Sequence, residues 1–414
     1  MIIPEPGDLK DLVRDLHRQG TPWLPAGLAS RLDWGPPCQP CRVLSTAALR
    51  GVVEHNPGDF VVRVAAGTPL EELQAQLAAH QQWLAVDPPP ATTPGSGFGS
   101  IGGLVARGLA GGYRQRYLGV RDQLIGITIL RADGVLARAG GKVVKNVAGY
   151  DLMRLFCGSW GSLGLITELT LRTMPLPQHR AGLLLSGPAE ALLERVQALL
   201  RSGLSPERLD LWNPALAAAA GHGAEALLLV GLAGVSGSSL EEQLQAAARI
   251  ASADRLPPIR QARRCDGASL PTLQAAAHPR PAAGPSDPAA WLLRLGVTPS
   301  RAADLLGHPA LRAVPVDLAA GSGLAMAWAP AEALSQAHVA DLRQHCRALG
   351  GQLTVLRQPA GSSLSAWDDA PSRPLIEAVK TRFDPLGQLA PGRLPGVAGP
   401  ATAAVADQAR APSR

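Results

Sequence analysis

Aromatic residues are scarce in this chain of 414 residues: phenylalanine, tryptophan and tyrosine make up 4% of it. Leucine, valine and alanine must therefore fill any core. At 46% hydrophobic and 17% charged, the composition still suits a folded protein with a buried interior. The length allows two or three domains. No Lys or Arg run interleaves with aromatics, so the net charge of +6 does not read as a nucleic-acid surface. Long apolar runs are missing too. The longest, around Ala226–Val235, is too short to cross a bilayer, and the first 13 residues hold no apolar signal core. These features point to a cytoplasmic protein that does not insert in a membrane, any membrane contact coming through a partner subunit. Five cysteines, an odd number, argue against a disulfide scaffold. Cys38-Gln39-Pro40-Cys41 is a CxxC, but Cys157, Cys265 and Cys346 stand alone. A zinc or iron–sulfur site would need a second ligand pair, so we expect no metal here and read the CxxC as a loop feature.

Glycine and proline are plentiful instead, at 45 and 37 residues. Residues 95–164 hold 17 of those glycines. Each costs about 0.5–1 kcal/mol relative to alanine inside regular structure, so this density suits a backbone that turns tightly or comes close to something bulky. Around it, periodicity predicts the elements. Leu9, Leu12, Val13 and Leu16 give a helix with Asp8 as cap and Gly20 as stop. A loop spans 22–37. Residues 60–65 form a strand, and Thr68-Pro69-Leu70-Glu71 reads as a capping box for a helix burying Leu70, Leu73 and Leu77. Residues 124–130 and 135–137 form a hairpin through Ala132-Asp133-Gly134, and 165–173 a further strand. A domain boundary is expected near residue 178. Beyond it, strands at 183–185, 226–230 and 292–296 and helices at 189–200, 240–251 and 331–349 make a second α/β region, with a Pro-, Ala- and Arg-rich loop over 255–290. A helix over 374–383 returns to the first region, and a disordered tail follows Gly396.

Gly97-Phe98-Gly99-Ser100-Ile101-Gly102 is a literal GxGxxG with Asp122 twenty residues on. The dinucleotide fingerprint requires a strand before it. Here Pro88, Pro89, Pro90 and Pro94 precede it, and they cannot build a central parallel strand. A phosphate can be held without that fold, by successive backbone N–H groups of a glycine-rich loop. Three stretches could do so: residues 25–31, residues 100–103, and residues 158–167.

Taken together, these segments resemble the FAD-binding domain of the vanillyl-alcohol-oxidase, or PCMH-type, family. The resemblance runs from about residue 8 to 178 and returns at KTRFDPLGQLAPGR (380–393). GGKVVKNVAGYDLMRLFCGSWGSLGLITELTLR (140–172) is its sharpest part and is most similar to the FAD-binding subunits of bacterial glycolate oxidases, a likeness that SIGGLVARGLAGGYRQRYLGVRDQLIGITIL (100–130) supports. The resemblance implies an α+β fold. Two α/β subdomains would form the FAD-binding domain (1–178). A smaller α/β cap domain (179–370) would follow, then a C-terminal segment (371–396) returning to the first domain and a disordered tail (397–414). It implies that Pro25, Ala26, Gly27, Leu28, Ala29 and Ser30 wrap the FAD pyrophosphate. Gly102 and Gly103 would be the paired glycines where backbone approaches the cofactor. Gly158, Ser159, Gly161, Gly164 and Ile166 would run along the flavin and ribityl chain, and Arg393 would sit near the cofactor.

Departures are visible. The first loop usually carries more glycine than Ala26-Gly27-Leu28-Ala29. Ala390 stands where Asn is usual, and the insert from Thr92 to Phe98 is longer than expected. Covalent attachment in this family often uses a His in or near the first loop. None lies between 18 and 54, so noncovalent FAD is expected. The family's function implies oxidation of a small 2-hydroxy acid, glycolate to glyoxylate, beside a sister flavin subunit and an iron–sulfur subunit. The alternatives are a scaffold subunit with weakened FAD binding and a stand-alone oxidase of another hydroxy acid or alcohol. Such chemistry needs a base and a cation for the carboxylate. No histidine lies between 81 and 178. The cap's histidines are scattered, His222 being the least unpromising. Basic candidates near the flavin are Arg114, Arg116, Arg121, Lys142 and Lys145. Tyr150 reads as packing and Asp151 as a partner of Arg154 or a cap, and no catalytic base is assigned.

Overall fold

Two antiparallel sheets of unequal size organise the chain in a computed structural model that describes residues 1–38, 41–91, 97–142, 150–277 and 290–398. The chain opens with α1 (Leu9–Arg18), which buries Leu9, Val13 and Leu16 as the spacing predicts. Asp8 precedes it without a capping hydrogen bond, and Gly20 ends it at φ +63°. β1 (Trp23–Ala26) then runs parallel to β2 (Arg42–Ser45), so the predicted loop over 22–37 begins as a strand. Burial of Trp23 and Leu24 outweighs the donor missing at Pro25, a loss that a two-stranded ladder tolerates.

β3 (Val52–Asn56), β4 (Val61–Ala65), α2 (Leu70–Ala78) and β5 (Gln82–Trp83) follow. Leu70, Leu73 and Leu77 are buried as predicted, but the capping box does not form. Thr68 Oγ1 instead donates to Ala65 O at 2.7 Å and accepts from Gly51 N–H at 2.9 Å. Glu71 accepts from Phe98 N–H at 2.7 Å. Next come α3 (Ile101–Arg107), α4 (Arg114–Tyr117), α5 (Val120–Gln123), the hairpin β6 (Leu124–Leu130) and β7 (Leu136–Gly140), α6 (Met153–Phe156), β8 (Leu165–Arg172) and β9 (Met174–Pro175). The first large sheet has the order β3-β4-β8-β6-β7. Its strands are antiparallel, which rules out the parallel sheet of a Rossmann arrangement.

The second half contributes β10 (His179–Gly187), α7 (Ala189–Leu200), β11 (Arg208–Trp212), α8 (Pro214–Ala219), β12 (Ala226–Gly234), α9 (Gly237–Ala251), β13 (Gln261–Asp266), α10 (Leu270–Ala277), β14 (Ala290–Gly296), α11 (Ala302–Leu306), β15 (Val316–Ala319), β16 (Leu324–Pro330), α12 (Gln336–Ala348) and β17 (Gln352–Arg357). They form one sheet in the order β13-β10-β12-β11-β15-β16-β14-β17. The predicted loop over 255–290 contains β13 and α10. β13 is an exposed edge strand, so no hydrophobic alternation announced it. α12 starts at 336 because Ser335 caps it, accepting from His338 N–H at 3.2 Å. The predicted tail lies, beyond its first two residues, outside the described residues.

The last helix, α13 (Arg373–Phe383), brings the chain back. Trp23 N–H donates to Gln388 O at 2.8 Å, and Ala390 N–H returns a bond to Trp23 O at 2.9 Å. Lys380 Nζ donates to Ser162 O and Leu389 O, each at 2.8 Å. Leu292 of β14 and Leu356 of β17 belong to the same buried cluster as β4, β8 and α3, so the two sheets share a core where they meet. Among the described residues, no helix is long and apolar enough to cross a membrane.

Candidate functional site

A groove with about 690 Å³ of open space lies between the β1–β2 pair, α3 and the start of β8. Of the residues singled out in the sequence, it is lined by Pro25, Ala26, Gly27, Leu28, Ala29, Ser30, Gly102, Gly103, Gly161, Gly164, Ile166 and Arg393. Gly158 and Ser159 are not part of the lining. Gly158 N–H donates to Val105 O at 2.9 Å and Ser159 Oγ to Phe156 O at 2.8 Å, so both serve the turn between α6 and β8. Leu28 lines the groove half-buried.

The loop after β1 is shaped to present its amides. Ser45 Oγ donates to Gly27 O at 2.6 Å, and Thr46 N–H donates to Ala26 O at 2.8 Å. These bonds tie down the carbonyls. Among the described residues, no protein acceptor takes the N–H of Gly27, Leu28 or Ala29. Ala29 holds φ +57°, the left-handed conformation that turns a run of amides to one side. Gly27 is glycine because a Cβ there would fall 1.9 Å from Ser100 Oγ, and Gly102 because one would fall 2.8 Å from Ala66 Cβ. Ser100 Oγ in turn caps α3 by accepting from Gly103 N–H at 3.2 Å.

Three arginines ring the same space, Arg31 and Arg393 buried and Arg107 half-buried; Arg31 ends the stretch 25–31 singled out in the sequence, whereas Arg107 was not singled out. Arg107, at the end of α3, donates to Arg31 O at 2.7 Å and Trp34 O at 3.2 Å. Its guanidinium carbon stands 3.8 Å from the centre of the Trp160 ring. Arg31 donates to Pro89 O at 2.6 Å and Phe98 O at 3.1 Å, and Arg393 donates to Leu32 O at 2.7 Å. Among the described residues, no carboxylate is in ion-pair contact with any of the three. Burial pulls the Arg31 guanidinium down to about 10. Burial, then Arg393 and Arg31, pulls Arg107 well below its ordinary value. The arginines rest on carbonyl oxygens, and Asp33, with Glu71 for Arg31, offsets their charge only from beyond ion-pair distance. The available signal for Arg107 was a single charge ending an otherwise apolar helix.

A second cavity, with about 1300 Å³ of open space, lies where the two sheets face each other, lined by Asp87, Tyr113, Arg208, Gln274 and Asp317 among others. Arg208 at the start of β11 pairs with Asp87 at 2.7 Å and Asp210 at 2.8 Å. Asp87 also accepts from Gly111 N–H and Tyr113 N–H at 3.1 and 3.0 Å. Burial pushes the Asp87 carboxyl up to about 6 against the pull of Arg208. Burial and the neighbouring Asp210 push Asp317 well above the carboxylate range. Asp210 and Asp317 were not singled out in the sequence, because residues from distant segments assemble the cluster.

The other candidates lie elsewhere. His222 sits 2.8 Å from Arg263 Nη2 and tilts against Trp212. Tyr150 is 86% exposed. Asp151 pairs with Arg154 at 3.2 Å, and Lys142 with Glu54. Lys145 lies outside the described residues.

Residues 3–140 match a family described as the FAD binding domain. This part of the chain is an FAD-binding domain. Its groove fits the cofactor's diphosphate: free amides beside guanidinium groups that touch no carboxylate suit a buried anion. Glycolate oxidase subunit GlcE of Escherichia coli is 39% identical over 137 residues, 33% of this chain and 38% of that protein. D-2-hydroxyglutarate dehydrogenase of Xanthomonas citri is 32% identical over 232 residues, 55% of this chain and 48% of that protein. Glycolate oxidase subunit GlcD of Bacillus subtilis is 32% identical over 197 residues, 47% of this chain and 40% of that protein. The match therefore spans less than half of each of these relatives. Among solved structures, alkyldihydroxyacetonephosphate synthase superposes with a TM-score of 0.62 at 14% identity, over 95% of this chain and 77% of its own. That likeness shows the fold of the FAD-binding domain together with the second sheet.

Proposed function

We propose that the chain is the FAD-carrying subunit of a complex that oxidises a small 2-hydroxy acid, glycolate to glyoxylate, with FAD held noncovalently in the groove. One observation carries the reading: residues from three separate stretches and the C-terminal return line a single groove with free amides and guanidinium groups that, among the described residues, touch no carboxylate. In this reading the amides of Gly27, Leu28 and Ala29 hold the diphosphate, Arg107 and Arg31 supply the positive potential, and Arg393 closes the C-terminal side. Ile166 and Gly164 flank the cofactor along β8. Bound FAD would supply a two-electron acceptor for the hydride of an alcohol carbon. Among the described residues no histidine lines the groove, and the reading takes the FAD as noncovalent. GlcE and GlcD are named as glycolate oxidase subunits, which motivates a sister flavin subunit and an iron–sulfur subunit as partners.

A second reading keeps the fold but weakens the cofactor. Ala29 and Ala390 both hold left-handed backbone, at φ +57° and +45°, where alanine is strained. Titration of the purified chain with FAD separates the two. Saturable quenching, a raised melting temperature and FAD released intact by acid support the first reading; a colourless protein indifferent to FAD rejects it. Glycolate-dependent dye reduction only when the neighbouring subunits are co-expressed supports the complex. Steady turnover by the isolated chain favours a stand-alone oxidase.

A further inference from the structure

The CxxC segment is not absorbed by the proposed function, and the structure gives it a geometry of its own. Cys38 Sγ and Cys41 Sγ stand 2.9 Å apart. A disulfide bond is about 2.05 Å long, so about 1 Å of movement separates contact from bond. Both residues are partly exposed, and Cys41 directly precedes β2, whose first residue Arg42 is exposed. Cys157, Cys265 and Cys346 are free cysteines on other elements. The chain beside Cys38 runs next to the chain beside Arg393, a groove residue: a Cβ built on Gly392 would stand 3.7 Å from Pro37 O.

We propose that Cys38 and Cys41 are a reversible thiol–disulfide pair, oxidised by small-molecule disulfides such as oxidised glutathione, and that its state is transmitted to the groove through Arg393. Cys41 is the attacking sulfur. Burial and the hydrogen bond with Cys41 push the Cys38 thiol up to about 12, which disfavours Cys38 as the first nucleophile. The Cys41 thiolate attacks one sulfur of the small disulfide. A Cys41–sulfur bond forms, the disulfide bond breaks, and one thiol leaves with the proton that Cys41 lost. Cys38 then gives up its proton and attacks Cys41 Sγ, forming the Cys38–Cys41 bond and releasing the second thiol. The protein dithiol loses two electrons and the small disulfide gains them. Exchange needs no FAD. Only its transmission to the groove rests on the proposed cofactor site.

The test is equilibration of the cofactor-free full chain in glutathione buffers of rising oxidised fraction, acid quench, alkylation after unfolding, and mass spectrometry of the tryptic peptide 32–42. That peptide carries both cysteines and no other. The expected result is a doubly alkylated peptide in reducing buffer and an unalkylated one, two hydrogens lighter, in oxidising buffer. The other three cysteines should stay alkylated throughout. Cys38→Ser should trap a glutathione adduct on Cys41. A peptide that remains alkylated in excess oxidised glutathione, or that stops as a stable adduct in the wild type, overturns the pair. An adduct trapped efficiently in Cys41→Ser but not in Cys38→Ser overturns the assignment of the attacking sulfur. For transmission, FAD affinity of the wild type should differ at least about threefold between the two redox forms, while Cys38→Ser/Cys41→Ser shows no such difference. Equal affinities in a protein that demonstrably forms the bridge overturn the transmission.

Discussion

Two buried regions of this molecule are built around arginine, and they treat its charge in opposite ways. In the groove proposed for FAD, Arg31, Arg107 and Arg393 lean on backbone carbonyls and touch no carboxylate among the described residues. In the cavity between the sheets, Arg208 is held by Asp87 and Asp210, with Asp317 adding a third carboxyl. A buried charge resting only on carbonyls keeps most of its potential for an incoming anion. A buried charge among carboxylates is spent internally, fixing the turn around Gly111 and Tyr113 of the first sheet's half to β11 of the second. The same side chain is a binding element in one place and a fastener in the other.

The contrast is broken most directly by removing an arginine from each side. Arg208→Met leaves Asp87 and Asp210 without their counter-charge and should cost about 3–5 kcal/mol of stability at pH 7, read by urea unfolding; a loss below about 1 kcal/mol would erase the distinction. Arg107→Met should change the cofactor-free protein far less, yet weaken FAD binding about 10- to 100-fold, the worth of a charged hydrogen bond, read by fluorescence titration. The third prediction concerns pH. Folded carboxyls raised above their unfolded values cost stability when ionised, so the cost is full at neutral pH and is relieved as pH falls through about 6 for Asp87 toward the unfolded value. Asp317→Asn should therefore be more stable than the wild type by about 1 kcal/mol at pH 7, with the gap narrowing toward pH 5 in parallel melts. The smallest effect is expected at Ala390. Asn tolerates left-handed backbone better than Ala, so Ala390→Asn should raise stability by about 0.5 kcal/mol, seen as a small rise in melting temperature.

Much of the fold and the groove can be read from the order of residues alone. Leu70, Leu73 and Leu77 mark their helix correctly because a regular stripe is buried on one side, and α7 matches its predicted span of 189–200. The groove was legible through glycines and the family's motifs. Arg107 and Trp160 were not, because their role depends on a stacking contact between α3 and the turn before β8. β1 was hidden by Pro22 and Pro25 within four residues, and β13 by its lack of an apolar face. The Arg208 cluster draws on positions 87, 210 and 317, and no local pattern spans such distances.

The return of the C-terminal segment has a consequence for how the protein is made. Gln388 and Ala390 complete a ladder on Trp23, and Gln388 Nε2 also donates to Leu16 O and Thr21 O at 2.9 and 3.1 Å. The lobe that begins the chain therefore waits for residues synthesised some 370 positions later. On the ribosome, α1 and β1 must remain with an open flank while the whole second sheet emerges and folds. A chain truncated before Gln388 would leave the ribosome with its first lobe unsealed.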